Sequence, residues 1–79
     1  MSDIRDVHAL KHLRLEFLKR KIDTSMADLR VSHGVAYIRG TLKMDSDGAG
    51  DIHDNVNHAM HALKGRQEFR DIVLDAILR

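Results

Sequence analysis

Apolar residues in the first quarter of the chain recur at intervals of three and four positions. On a helical wheel these side chains fall on one side. They are Ile4, Val7, Leu10, Leu13, Phe17, Leu18 and Ile22. Asp3 is placed to cap such a helix, Asp6 puts a carboxylate in its first turn, and the basic run Lys19–Lys21 lies near the negative end of the helix dipole. The pattern predicts an amphipathic helix from Asp3 to about Asp23.

The next segment alternates between apolar and polar residues, as a strand with one buried face does. Apolar residues alternate in Leu29–Ser32, His33-Gly34 supplies a tight turn, and alternation resumes in Val35–Met44, which predicts a β-hairpin. The inward side chains of its second strand are Ala36, Ile38, Gly40, Leu42 and Met44, and the outward ones are Val35, Tyr37, Arg39, Thr41 and Lys43. A glycine in the inward set predicts that a helix backbone lies close against the strand at Gly40.

A second helix follows a polar loop. The composition of Asp45–Gly50 is that of a loop, and Asp51 with Asp54 marks a helix start. Apolar residues again fall on one face, and they are Ile52, Val56, Ala59, Met60 and Leu63. The helix is predicted to run to about Lys64, and Gly65 stands where a C-cap glycine is expected.

The last segment, from Phe69 to Arg79, fits two patterns. Helical spacing relates Phe69, Ile72, Val73, Ala76 and Ile77, whereas Ile72, Leu74, Ala76 and Leu78 alternate as in a strand. We favour the strand because a lone hairpin under two helices needs a third strand to be stable. The sequence therefore predicts an α+β fold of order α-β-β-α-β, with two helices packed on one face of a three-stranded mixed sheet.

Composition restricts the possibilities further. The chain has 79 residues, with 13 Lys and Arg against 12 Asp and Glu, and no cysteine, proline or tryptophan. This length predicts one small domain over residues 1–79, stabilised without disulfides. The net charge of +1 argues against a strongly basic nucleic-acid binder, and the 43% hydrophobic content argues against a disordered tail. No apolar run has the length of a signal peptide or a membrane span, which predicts a cytoplasmic protein, or a periplasmic one if the chain is an excised domain.

The order of elements and the hairpin sequence Leu29–Leu42 resemble the BON domain, a small bacterial module. The family's hairpin has an apolar strand, a short turn with glycine, a Val/Ile-rich strand and then Gly-Thr-Val or Gly-Thr-Leu. Gly34 and the triplet Gly40-Thr41-Leu42 stand at the matching positions, and Gly65 resembles the glycine before the family's last strand. The resemblance implies a lipid- or protein-interaction module, of the kind found in envelope, osmotic-stress and pore-associated proteins, without catalytic residues.

The sheet face turned away from the helices is the predicted binding surface. Its residues are Arg30, Val35, Tyr37, Arg39, Thr41, Lys43, Val73 and Ile77. A half-apolar face with a basic rim is typical of an interface. The first hypothesis is a protein partner or a homodimer. The alternative is anionic phospholipid, to which Arg30, Arg39 and Lys43, with the run Lys19–Lys21, would give weak, salt-sensitive binding. Nucleic acid is not expected, because the chain has few aromatic platforms.

Metal binding and catalysis are the remaining classes. Asp54, His58 and His61 share the polar face of the second helix, and His8 and His12 lie four residues apart on the first. A metal-responsive module is therefore the third hypothesis, after protein and phospholipid binding, and exposed histidines without a metal are the commoner case.

No calcium site is predicted in the loop before the second helix, because Ala49 and Val56 stand at ligand positions of an EF-hand pattern. Enzyme motifs are missing, and so small a domain has little room for a substrate cavity, so we expect no catalysis and no cofactor.

Overall fold

The computed structural model describes residues 4–79, which form two helices and four strands. In chain order these are α1 (Ile4–Lys19), β1 (Ile22–Asp23), β2 (Ala27–Ser32), β3 (Val35–Met44), α2 (Ile52–Lys64) and β4 (Asp71–Leu78). The α+β class is confirmed, and the last segment is a strand, so the helical alternative for it is wrong. One strand was not predicted, because Ile22 and Asp23 leave the first helix and form β1. The predicted N-cap Asp3 lies outside the described residues.

The sheet is mixed, and β3 is its central strand. β2 pairs antiparallel with β3, from Ala27 opposite Gly40 to Ser32 opposite Val35, and β1 pairs antiparallel with the end of β3. β4 pairs parallel with Val35–Leu42. Because the same residues of β3 pair with both β2 and β4, these two strands lie on opposite edges.

The edge made by β1 and β2 is interrupted by a bulge at Thr24–Met26. Asp23 and Ala27 are four positions apart, whereas their partners Lys43 and Gly40 are three apart, so this edge carries an extra residue. Gly40 has a φ of +95°, and a Cβ there would lie 2.5 Å from the carbonyl oxygen of Met26. The prediction of a helix backbone against Gly40 is therefore wrong: the close neighbour is the bulge, and Gly40 is exposed.

The core lies between both helices and one face of the sheet. Its buried side chains are Ala9, Leu13, Phe17, Ile22, Ala36, Ile38, Leu42, Ile52, Val56, Ala59, Met60, Leu63 and Phe69. All five apolar residues predicted for the buried face of α2 belong to it. Of the inward set on β3, Ala36, Ile38 and Leu42 are buried and Met44 packs against them. None of the outward set on β3 is in the core, so the opposite face of the sheet is left without a helix.

Helix α1 is rotated relative to the prediction. Its buried stripe is Asp6, Ala9, Leu13 and Phe17, with Leu10 half-buried. Three residues predicted to face the core, Ile4, Val7 and Leu18, are instead exposed, at 71%, 53% and 64%. Ile22 is buried as predicted, but from β1. The helix therefore presents large apolar side chains, Leu15 among them, to solvent.

Local polar groups begin and end the elements near the predicted positions. Asp51 is the N-cap of α2, and its carboxylate accepts hydrogen bonds from the backbone N–H groups of His53 and Asp54 at 3.0 and 3.3 Å. Gly65 is the C-cap of α2. His33 and Gly34 connect β2 to β3 with φ of 52° and 79°. Positive φ at both positions is the geometry of a type I′ hairpin turn.

Candidate interaction surface

The open face of the sheet collects the residues predicted for binding. Alternation along β3 puts Val35, Tyr37, Arg39, Thr41 and Lys43 on this face. The register then places Arg30 of β2 opposite Tyr37, Val73 of β4 opposite Tyr37, and Ile77 of β4 opposite Thr41. The structure thus brings all eight predicted residues to one surface, which we call the open face.

The apolar part of the open face lies on β3 and β4. Val73 is the register partner of Tyr37, and Val73 and Ile77 are 38% and 58% exposed. The guanidinium of Arg39 lies 5.9 Å from the centroid of the Tyr37 ring, a cation–π distance. Because neither helix covers this side, these groups are available to a partner without any rearrangement of the fold.

The open face is close to neutral, so the expected basic rim is wrong. Arg30 forms an ion pair with Asp28 at 3.0 Å, and Lys43 lies 3.8 Å from the carboxylate of Asp23. In the register, Arg39 stands between Asp28 on β2 and Asp75 on β4. The basic side chains predicted for this face therefore alternate with carboxylates contributed by the flanking strands.

Asp23 is held ionised by its own turn. The backbone N–H of Ser25 donates to it at 2.8 Å, and this bond, with the hydroxyl of Ser25 and the charge of Lys43, lowers the pKa of Asp23 below its ordinary value. Near neutral pH, Lys43 therefore lies beside the ionised carboxylate of Asp23.

The basic run at the end of α1 is also paired. Arg20 donates to Glu16 at 2.9 Å, and Lys21 lies 3.3 Å from Asp47 across the loop before α2. Lys19 lies 4.0 Å from the same Glu16. These pairs lower the positive potential that the lipid alternative requires.

The predicted metal ligands are not assembled. Asp54, His58 and His61 are all exposed on α2. Among residues 4–79, no group of three His, Cys, Asp or Glu side chains is placed to hold a metal ion. His12, the second member of the pair on α1, is bound to Glu68 instead, with Nδ1 2.7 Å from Oε1.

A polar cluster that sequence reasoning missed joins α1 to the hairpin turn. Asp6, expected to stay near the N–H groups of its own helix, accepts hydrogen bonds from the backbone N–H groups of His33 and Gly34, both at 2.9 Å. Arg70 then donates its backbone N–H to the carbonyl of Gly34 at 2.8 Å. The one signal in the sequence is that a carboxylate stands in line with the buried stripe Ala9, Leu13 and Phe17.

A second cluster joins α1 to the segment before β4. Arg66 and His12 both bond to the carboxylate of Glu68. The bond from Arg66, followed by the bond from His12, lowers the pKa of Glu68 despite partial burial.

The two clusters border a groove of about 350 Å³, lined by Asp6, His33, Gly34, Gln67 and Glu68 with Arg5 and Arg70. Since Asp6 and Glu68 are engaged in bonds that hold elements together, we assign the clusters a structural role.

Comparisons of the chain with protein-family models, with curated proteins and with solved structures found no match. The resemblance to the BON domain therefore stays a prediction. Within residues 4–79, no helix combines the length and the apolar content needed to cross a membrane.

Proposed function

We propose that the chain is a non-catalytic interaction module that binds a protein partner, or a second copy of itself, through the open face. The observation that supports this most directly is an apolar group on the open face in which the half-buried Tyr37 lies beside the exposed Val73, with the exposed Ile77 on the same strand. Exposed apolar clusters form interfaces more often than the rest of a protein surface does. The role agrees with what the BON-like hairpin implies.

Charge on the open face favours a protein over a lipid surface. Each unpaired Lys or Arg near an anionic membrane contributes about 1 kcal/mol, and a carboxylate beside it removes that gain. Arg30 and Lys43 face Asp28 and Asp23, and Arg39 lies between two aspartates in the register. A paired, mixed-charge rim around an apolar centre is the usual anatomy of a protein interface.

The test distinguishes a protein partner from an anionic lipid surface. Flotation with vesicles of anionic phosphatidylglycerol and with neutral vesicles, at low and moderate salt, reports lipid binding. Sedimentation over a range of protein concentrations reports self-association. We expect no flotation, and a concentration-dependent mass that Tyr37→Ser lowers, because Tyr37 is the register partner of the exposed Val73. Leu18→Ser, which removes an exposed apolar side chain from α1 and not from the open face, is the matched control.

Flotation that Arg39→Glu abolishes would contradict the proposal and establish the phospholipid alternative. Self-association that Tyr37→Ser leaves unchanged would show that the open face is not the contact surface.

A further inference from the structure

β4 is an edge strand whose outer side bonds to no other strand. In the described part of the chain it pairs only with β3. Arg79 donates its backbone N–H to the carbonyl of Leu42 at 3.0 Å. Alternate residues of a strand face the same neighbour, so the odd-numbered residues of β4 face β3. The backbone N–H and C=O groups of Leu74 and Ala76 therefore point away from the sheet, toward solvent.

This edge has few of the features that keep edge strands apart. Asp71–Leu78 contains no proline, no lysine and no bulge, and its guards are the charges of Asp71 and Asp75, of which Asp71 also accepts the outward N–H of Ile72 at 2.8 Å. Leu74 is 39% exposed although it lies on the helix side of the sheet. The opposite edge, in contrast, is broken by the bulge at Thr24–Met26; it contacts α1, while β4 contacts α2.

A second copy of β4, running antiparallel, matches this edge in one register. Residues that meet across an antiparallel pair share a face, so odd positions must meet odd positions. With Asp75 at the two-fold axis, Val73 lies opposite Ile77 of the second copy. A shift of two residues in either direction instead puts Asp75 opposite Val73 or Ile77. A shift of four residues leaves only about half of the strand paired, so the apolar match over the longest overlap selects the register centred on Asp75.

The ends and the helix side agree with the same register. Asp71 of one copy lies opposite Arg79 of the other, and neither forms an ion pair within residues 4–79. On the helix side, Leu74 lies opposite Ala76, and these two residues present their free N–H and C=O groups to each other. Directly opposed apolar pairs and opposite charges both stabilise antiparallel strands.

We propose that two copies of the chain pair through antiparallel β4 strands with Asp75 at the two-fold axis, so that their sheets become continuous. The proposal rests on the protein-interaction function above and names its partner as a second copy, with the backbone contact at the β4 edge and Val73 and Ile77 of the open face packing across it. It joins the two open faces into one surface, on which Val73 and Ile77 of each copy are brought together.

The two Asp75 carboxylates limit the affinity. They face each other at the axis in a pair without backbone hydrogen bonds, the closer of the two kinds of antiparallel pair. In each copy Arg39 is the register partner of Asp75, which offsets part of the repulsion. Replacing this one aspartate by its neutral isostere should therefore tighten the dimer, an effect that a surface charge elsewhere would not produce.

The test is sedimentation equilibrium between about 10 μM and 1 mM, the range in which a weak dimer forms. Asp75→Asn should lower the dimer Kd roughly two- to fivefold, because it removes a like-charged cross-strand pair. Ala76→Pro should raise the Kd at least about tenfold, since it removes one edge N–H in each copy and leaves the bonds to β3 intact. Ala76→Gly keeps the N–H and is the matched control.

Amide hydrogen exchange gives a second readout. The N–H groups of Leu74 and Ala76 should exchange more slowly as protein concentration rises, whereas those of Val73 and Asp75 should be protected at every concentration. A Kd that Asp75→Asn leaves unchanged or raises would overturn the proposal.

Three other outcomes would also overturn the edge pairing, and they differ from failure of the proposed function. If Tyr37→Ser abolishes association but Ala76→Pro does not, the open faces pack on each other. That result supports the proposed function and refutes pairing through the β4 edge. If Leu18→Lys alone abolishes association, the contact lies on α1. That result refutes both the β4 pairing and self-association through the open face. A monomer at all concentrations would remove the β4 dimer, while binding of a different protein through the open face would remain to be measured.

Discussion

The carboxylate of Asp6 joins the N-terminal helix to the hairpin, and its replacement by asparagine should destabilise the fold more than the same change at an exposed aspartate. Asp6 is 9% exposed and accepts two backbone N–H groups, from His33 and Gly34, at 2.9 Å each. Asp6→Asn preserves the shape of the side chain. It leaves one oxygen as an acceptor and sets an NH2 group against the other backbone N–H.

The magnitude follows from these two bonds. A buried N–H left without an acceptor costs about 1–3 kcal/mol, and the bond that remains loses the strength it drew from a charged acceptor. Together these effects should lower the free energy of unfolding by about 2–4 kcal/mol. A domain of this size has a stability of roughly 4–12 kcal/mol, so the loss is a large fraction of the total. The melting temperature should fall by roughly 10–20 °C.

Urea unfolding followed by far-ultraviolet circular dichroism measures this change. The midpoint should drop by about 2 M, given the slope expected for a small domain. Asp45→Asn is the matched control, because Asp45 forms no side-chain hydrogen bond or ion pair within residues 4–79, and it should stay within about 0.5 kcal/mol of the parent chain. Equal midpoints for the two variants would refute the reasoning. Faster amide exchange at His33 and Gly34 in Asp6→Asn would localise the effect.

Two further perturbations follow from the same structure. Gly40→Ala forces a side chain onto a φ of +95° and against the Met26 carbonyl, so urea unfolding should show a loss of about 2–4 kcal/mol, whereas Gly65→Ala, with a φ of −79°, should change little. Arg66 and His12 lower the pKa of Glu68 from its ordinary 4.5, so its stabilising effect is complete above that value and is lost as pH falls through the lower folded pKa. The parent chain should therefore lose stability more steeply than Glu68→Gln between about pH 5 and pH 3, and parallel pH profiles would contradict this.

The elements that sequence reasoning predicted well are those whose patterns are local. The buried face of α2 needs only the spacing of its five apolar residues, and Asp51 caps it from the adjacent position. The hairpin needs only the alternation on either side of His33-Gly34, whose positive φ values a two-residue turn demands. In such segments the residues that decide the structure are neighbours in the chain.

The features that the sequence did not predict depend on the register between segments that are distant in the chain. Nothing near Gly40 in the chain shows that a bulge around Met26 will press on it, because that contact arises only when β1 and β2 form one edge. The predicted charge of the open face was wrong for the same reason. Alternation places Arg39 on that face, but only the pairing of three strands brings Asp28 and Asp75 beside it.

The rotation of α1 shows how one polar contact can outweigh an apolar pattern. The helix has large apolar residues on nearly every side, so several rotations would bury a similar number of them. Only a rotation that turns Asp6 inward gives an acceptor to the two N–H groups of the hairpin turn. Two buried N–H groups without an acceptor cost roughly 2–6 kcal/mol, which is comparable to the roughly 1.5–3 kcal/mol lost for each aliphatic side chain left exposed. The rotation that results buries Ala9, Leu13 and Phe17 and leaves Ile4 and Leu18 in solvent. If Asp6 selects this rotation, Asp6→Leu should repack the helix rather than simply weaken it, and methyl chemical shifts of Leu13 and Leu18 would report the exchange of faces.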